Sequence, residues 1–478
     1  MSTRTRREFL EETILAATAA CAVGLPETAG GKEPAKGPNE RLAVGVIGTG
    51  SRGGHHASVF ARHTGCDLVA VCDADKARAA SAARRGGGKV RVHQDLRRII
   101  DDKSIDCVSI ATCNHWHALA AIWAMQAGKD VYLEKPVSHN IAEGRRIVQA
   151  ARKHKRICQV GTQYRSDGSC KAAGAFLAAG KLGKVTLARS ITYKRRRSIG
   201  PVVKGAVPGS VDYNLWAGPA PMSPITRKRF HYDWHWFWET GNGDIGNSDV
   251  HRADLVRFGL GATRLPRAVM CYGGRLGYKD SAQTPNTQIA VHDYGDLTYV
   301  QEIRGLPTPK HGRHGGAIFV GSEGYVGMAG RSSALFDRKG KLVRKFSGTT
   351  DDHFDNFVRA VRSRRIGDLN SDILGGHLAA GLCHLGNISY RLGQEASPKE
   401  ILAQLASRKG RDDFRDTFER TRKHLADNGV DIARTHLTLG PWLTFDADKE
   451  RFADNAKADA LLTRPYRKPF VVPAETAL

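Results

Sequence analysis

The sequence predicts an α/β unit followed by an α+β unit: a doubly wound parallel sheet first, then a mostly antiparallel sheet. Two observations carry this. Between residues 41 and 160, short β-branched runs alternate with helix-compatible stretches, the pattern of repeated βα units. Beyond residue 180, strand-like runs recur with turn residues between them and few helices. At 478 residues the chain is long enough for two or three domains with their own cores.

The first run, residues 41–47, reads as a buried strand and leads directly into Gly48-Thr49-Gly50-Ser51-Arg52-Gly53. A helix-compatible stretch follows to about His63. Glycines so placed permit a tight turn and close backbone approach, and the helix N-terminus then faces a pyrophosphate. Gly48, Gly50, Ser51, Arg52 and Gly53 are therefore candidate contacts of a dinucleotide. A second strand, 68–72, ends at Asp73. A carboxylate there suits the ribose hydroxyls and repels a 2′-phosphate, which favours NAD over NADP. Arg52 keeps NADP open, since a guanidinium near the ribose accommodates the extra phosphate. Strands at 106–111, 130–133 and 157–160 and helices at 116–127 and 141–154 continue the alternation. Ligands sit beyond the carboxyl ends of such strands, which selects 111–117, 134–136 and 161–165.

In the second part, strand-like runs fall at 185–191, 267–272, 288–292, 297–303 and 317–320. A Trp/Pro-rich insertion occupies 200–240, with aromatics suited to a sugar site, a core or an oligomer contact. Two late helices, about 352–364 and 371–392, are expected to pack back on the first sheet.

The formal net charge is +25. The basic residues are scattered, and the densest run, Lys194-Arg195-Arg196-Arg197, has no nucleic-acid-binding signature beside it, so nucleic acid is not expected as a partner. An acidic-sugar substrate has no further support in the sequence. Thr5-Arg6-Arg7-Glu8-Phe9-Leu10, an apolar run over 14–25 and a Gly/Lys/Pro-rich linker read as a twin-arginine export signal, although Glu11 and Glu12 are unusual there. The run is too short for a membrane span, and Cys21 is a candidate lipid-attachment position. The nine cysteines show no metal-ligand spacing, and neither a metal site nor a disulfide framework is expected.

Tyr132-Leu133-Glu134-Lys135-Pro136 adds a third motif to the glycine turn and to Thr112-x-Asn114-x-x-His117, and the glycine-rich stretch 241–258 adds a fourth. In these four, in this order, the chain resembles the Gfo/Idh/MocA oxidoreductases, over about residues 41–393. Its tail is similar to that of a planctomycete-type branch. The signal and linker read above occupy 1–40, and the resemblance implies a Rossmann NAD(P)-binding domain at 41–165. It further implies an α+β substrate domain at 166–393, whose open sheet face meets the cofactor, and an extension at 394–478. Thr112, Asn114, His117, Glu134, Lys135 and Gln163 then join the cofactor contacts. The implied reaction is hydride transfer between the nicotinamide and a hydroxyl or carbonyl carbon of a sugar, polyol or sugar derivative. Lys135 would hydrogen-bond the reacting oxygen, with Glu134 orienting it, and His251 would be the general acid/base. Asn247, four residues earlier, stands where the family has Asp, leaving Asp249 or Asp254 as substitutes, while capping explains Asp244 and Asp254 equally well. An exported enzyme would need its cofactor tightly bound. Two alternatives remain: a redox-assisted glycosidase using NAD catalytically, and a non-catalytic sugar- or nucleotide-binding protein. Family members commonly associate through the open sheet, so a homo-oligomer is expected.

Overall fold

The computed structural model describes residues 41–478 except 88, 309–314 and 408–413. The export-signal reading and Cys21 lie outside these residues. The first sheet has six parallel strands: β1 (Leu42–Ile47), β2 (Cys66–Cys72), β3 (Arg91–His93), β4 (Cys107–Ile110), β5 (Asp130–Leu133) and β6 (Cys158–Val160). Their order is β3-β2-β1-β4-β5-β6, the doubly wound order whose switch point lies between β1 and β4. The five predicted strands are present; β3 has no counterpart in the sequence reading. It is a three-residue edge strand with Val92 exposed, so it carries no hydrophobic period to read.

Helices α1 (Ser51–Arg62) and α2 (Lys76–Arg85) lie on one face, α3 (Asn114–Gln126) and α4 (Ile141–Lys153) on the other. Helix α5 (Gly168–Ala178) leads into the second sheet. That sheet contains β7 (Leu187–Tyr193), β8 (Ala268–Gly274), β9 (Thr287–Asp293), β10 (Thr298–Arg304), β11 (Gly315–Gly321), β12 (Gly324–Met328), β13 (Ala334–Phe336), β14 (Leu342–Lys345), β15 (Gln394–Ala396) and β16 (Leu437–Leu439). Apart from the parallel pair β7 and β10, these neighbours run antiparallel.

Both faces of this sheet carry helices. Helix α6 (Val250–Gly259) packs on the inner face, and α7 (His353–Ser363) follows β14. Helix α8 (Ile373–Arg391) also packs there and touches α4 and β6 of the first sheet. Helix α7 places Phe354 and Phe357 against Phe60 and Tyr132, with Phe354 stacked on Tyr132 at 4.8 Å. Both late helices thus reach back to the first sheet. The outer face is not open: Ile401 and Leu405 of α9 (Pro398–Ala406) and Phe418 and Leu425 of α10 (Phe414–Asp427) cover Met270, Tyr272, Ile289, Val291 and Val300. Strand alternation sends these residues outward and Val269, Cys271, Ala290 and Tyr299 inward, so each face needs its own apolar cover. Burying one such side chain contributes about 2 kcal/mol, which makes the extension part of the fold. The last residues pack on the first unit, with Phe470 against Trp116 and Arg467 on Gly218 and Asn214.

Candidate active site

The cofactor end is built where β1 stops. Gly48 has φ +80, and a Cβ there would meet the Thr112 nitrogen at 2.6 Å, so the turn requires glycine. Helix α1 begins at Gly50 with no side-chain cap, which leaves N–H donors free for an anion. Asp73 ends β2 and accepts the Thr49 N–H at 2.7 Å and the Asp75 N–H at 2.9 Å, holding the turn in place. An uncapped helix start behind a glycine turn, with a carboxylate at the next strand end, fits a dinucleotide.

Gly48, Gly50, Ser51, Arg52, Asp73, Thr112, Asn114, His117, Glu134, Lys135, Gln163, Asn247 and His251 all line one cavity of about 490 Å³. One expectation changes. Gly53 does not line the cavity; a Cβ on it would lie 1.7 Å from the Gly48 carbonyl oxygen, so it permits helix-to-turn packing instead. Arg52 lines the cavity while its Nε donates to Glu134 Oε1 at 2.7 Å. A second guanidinium lining the cavity is that of Arg78, whose Nε lies 3.9 Å from Asp75 Oδ2 and whose Nη1 stands 2.7 Å from where a Gly50 Cβ would be. Nothing in the sequence separated Arg78 from the other arginines of α2.

Glu134 is buried among Arg52, His56 Nε2 at 3.2 Å and Gln163 Nε2 at 3.4 Å. Burial alone would raise its carboxyl, but His56, Arg52 and Lys135 hold it well below the usual range. His117 bridges the Pro136 carbonyl at 2.6 Å and the Thr112 carbonyl at 3.1 Å, tying two strand ends together. Asn114 donates to Asn242 Oδ1 at 2.8 Å and so links α3 to the segment ahead of α6.

The proton-handling end meets this network at Lys135. Residues Ile245–Asp249 form a π-helical turn before α6, a local winding that sequence periodicity does not reveal. Lys135 Nζ donates to the Asn247 carbonyl at 2.9 Å, with the Asn247 Oδ1 at 3.5 Å. Burial lowers the Lys135 ammonium, assisted by Arg52 and Arg196 and opposed by Glu134. His251 sits edge-on to Tyr164, with ring centroids 5.7 Å apart. Burial, then Lys135 and Arg252, hold its imidazole well below the ordinary value, which leaves it neutral and able to accept a proton.

The neighbouring acids do not replace the family aspartate. Asp249 turns into the sheet and accepts from Ser190 at 2.7 Å, Thr192 at 2.8 Å and Gln301 at 2.9 Å. Asp254 faces Arg257 at 3.4 Å, and Asp244 takes both arms of Arg196 at 2.7 and 2.5 Å. Converting Asn247→Asp is therefore expected to stabilise the charged forms of Lys135 and His251 together. The acid limb of kcat/KM should move to higher pH by about one unit, read from a pH–rate profile. An unmoved limb would mean that this side chain does not face the pair.

The 200–240 insertion divides its aromatics between two tasks. Trp216 and Phe230 pack together, and Trp236 and Phe237 pack with Ile199. Leu215, Trp216, His231, Tyr232, Trp234 and His235 also line the cavity. The segment is pinned across β2's far end: Lys76 N–H donates to the Ser210 carbonyl at 3.0 Å, Asp212 N–H to Ala74 at 2.8 Å, and His231 pairs with Asp75 at 3.0 Å. Trp116 Nε1 holds the Leu215 carbonyl at 2.9 Å. Their density in the sequence flagged these aromatics, but not where they sit. Among the described residues, no group of three His, Cys, Asp or Glu could hold a metal, and no helix is long and apolar enough to cross a membrane.

Sequence models of one family match residues 42–162 (oxidoreductase family, NAD-binding Rossmann fold) and 191–409 (oxidoreductase family, C-terminal alpha/beta domain), together most of the chain. The chain belongs to the Gfo/Idh/MocA oxidoreductase family. Its first unit is thus an NAD-binding Rossmann domain. Among curated relatives of this Gfo/Idh/MocA protein is an inositol 2-dehydrogenase of Rubrobacter xylanophilus, 33% identical over 189 residues, 38% of this chain and 53% of the relative. Another is the levoglucosan dehydrogenase of Pseudarthrobacter phenanthrenivorans, 28% identical over 273 residues, 53% of this chain and 63% of the relative. The chain spans about half the length of the curated relatives it matches. Among solved structures, the WlbA dehydrogenase of Bordetella pertussis with NADH and UDP-GlcNAcA is 19% identical, with a TM-score of 0.56 over 73% of this chain and 97% of that one. A levoglucosan dehydrogenase with NADH and L-sorbose is also 19% identical, with a TM-score of 0.56 over 73% and 96%. At these identities the likeness concerns the fold.

Proposed function

We propose that this protein oxidises or reduces a hydroxyl/carbonyl carbon of a sugar, polyol or sugar derivative with NAD. The observation that carries the reading is that one cavity holds both the uncapped α1 start and the pair Lys135 and His251. Bound NAD supplies a hydride acceptor at its nicotinamide. The protein's own residues position the carbinol and move its proton. Lys135 hydrogen-bonds the reacting oxygen, and neutral His251 takes the hydroxyl proton on oxidation and returns it on reduction. Asn247 spaces the pair by accepting from Lys135 and carries no charge of its own. Dehydrogenases of inositol and levoglucosan among the relatives support a carbohydrate substrate.

We further propose that the cofactor is retained between turnovers. The insertion covers the adenosine end of the cavity through the contacts of residues 74–76 with Ser210, Asp212 and His231, so release requires lifting it. Export of a folded holoprotein by the twin-arginine route accords with such retention. Purified protein, denatured and weighed by mass spectrometry, is expected to release close to one NAD per chain. A protein that emerges empty and exchanges NAD freely contradicts the reading. A retained cofactor must be regenerated in place, which also suits transient oxidation followed by elimination of an aglycone. Aglycone release without net NADH would select that cycle; NADH accumulating with substrate would select the dehydrogenase.

A further inference from the structure

The basic run after β7 continues strand alternation: Lys194 and Arg196 turn inward, while Arg195 and Arg197 are exposed. Arg196 is satisfied. It grips Asp244 with two nitrogens, reaches Ser248 Oγ at 3.1 Å and Tyr232 OH at 3.0 Å, and lies over Trp236. Arg52 is likewise satisfied by Glu134. Lys194 is not. It lines the cavity beside Lys135, and among the described residues its one side-chain contact is Ser248 Oγ at 3.5 Å, the outer limit of a hydrogen bond. No carboxylate comes within ion-pair range of it among the described residues, because Asp244 is committed to Arg196 and Asp249 to Ser190, Thr192 and Gln301.

The Lys194 amine is half-buried, and burial and Arg196 draw it down to about 8, so at neutral pH it is mostly charged. The substrate end of the cavity therefore presents Lys135 and Lys194 with no acid of its own to balance Lys194. A half-buried ammonium with no carboxylate in ion-pair range has room for a partner that an anionic ligand can supply. Other cationic groups bear on the same point: Arg252 adds to the field at Lys194, while His235, buried and neutral, does not compensate it. Lys194 also lies away from the glycine turn. The charges acting on it are those of Arg196, Asp244, Lys135 and Arg252, all at the proton-handling end.

We propose that the substrate is a sugar bearing an anionic substituent, a carboxylate or a sulfate ester, which Lys194 receives. This rests on the reading of the cavity as a carbohydrate oxidoreductase site and names its substrate class. Lys194 is a binding residue here and takes no part in proton transfer.

The test uses NAD-loaded protein and matched probes: D-glucose, D-galactose and D-mannose, their uronic acids, and their 6-sulfates. Binding is measured by calorimetry and nicotinamide reduction by absorbance on the same samples. At least one anionic member is expected to bind about 10-fold or more tightly than its neutral parent, the usual size of a charge-assisted hydrogen bond. Preference for the uronic acid or for the 6-sulfate decides between the two substituents. The variant Lys194→Gln should reduce the preference to roughly 3-fold or less, and Lys194→Arg should restore part of it. Neutral sugars binding as well as every anionic partner, no anionic member binding, or a preference that survives Lys194→Gln would each overturn the proposal. Anion preference without nicotinamide reduction removes the oxidoreductase reading while leaving the Lys194 site. Turnover without anion preference does the reverse.

Discussion

Replacing Lys135 with alanine is expected to lower kcat by about 10³-fold while the protein still carries its NAD. The amine is the group positioned to hydrogen-bond the reacting oxygen, and it is anchored at 2.9 Å on the Asn247 carbonyl rather than by a carboxylate. Its removal also relieves the charge that helps to hold His251 neutral, so the imidazole should become easier to protonate. The acid limb of whatever activity remains should therefore rise in pH, a change that a purely structural role would not produce. His251→Ala should cost a similar factor, and the double variant little more than either single one if the two act on one proton. Retained NAD, measured by mass spectrometry, separates lost chemistry from a lost cofactor. Full activity in both single variants would falsify the site assignment.

Gly53→Val is expected to abolish cofactor retention and to lower the melting temperature sharply. A Cβ at Gly53 would lie 1.7 Å from the Gly48 carbonyl oxygen and 2.7 Å from its carbon, both backbone atoms of a turn that is itself packed against Thr112. Neither can yield without moving α1 off β1, so the cost should reach about 3 kcal/mol or more, at the upper end of overpacking. Gly50→Ala is the contrast. There the obstacle is Arg78 Nη1 at 2.7 Å, the far end of a flexible side chain, so that variant should fold and melt normally. Its new methyl group faces the cavity and should weaken NAD binding alone. Equal melting temperatures for wild type and Gly53→Val, by calorimetry, would contradict the packing argument.

The first sheet was legible in the sequence because β1, β2, β4, β5 and β6 are buried apolar runs, whereas β3, with exposed Val92, was not. In the second unit β7 to β11 were legible for the same reason. Strand β14, exposed at all four positions, left no pattern to find. The site divides in the same way. Glycine spacing and the ends of strands are local features, and they located the cavity. Side-chain partners are not local: Asp249, two residues after Asn247, turns from the cavity to Ser190, Thr192 and Gln301 of the second sheet.

By itself, then, the sequence determined the strand–glycine–helix turn and the strand ends that flank it, since backbone conformation and hydrophobic period are written in neighbouring residues, while Lys135, Asn247 and His251 were named through the resemblance to the family. Only the tertiary structure decided who pairs with whom. It gave Arg52 to Glu134 and Arg196 to Asp244, laid part of 200–240 across the residues that follow β2, and left Lys194 in the cavity with no carboxylate in ion-pair range among the described residues. Ion pairs and burial depend on distances between residues far apart in the chain, such as the 82 positions from Arg52 to Glu134, and no local period encodes such distances.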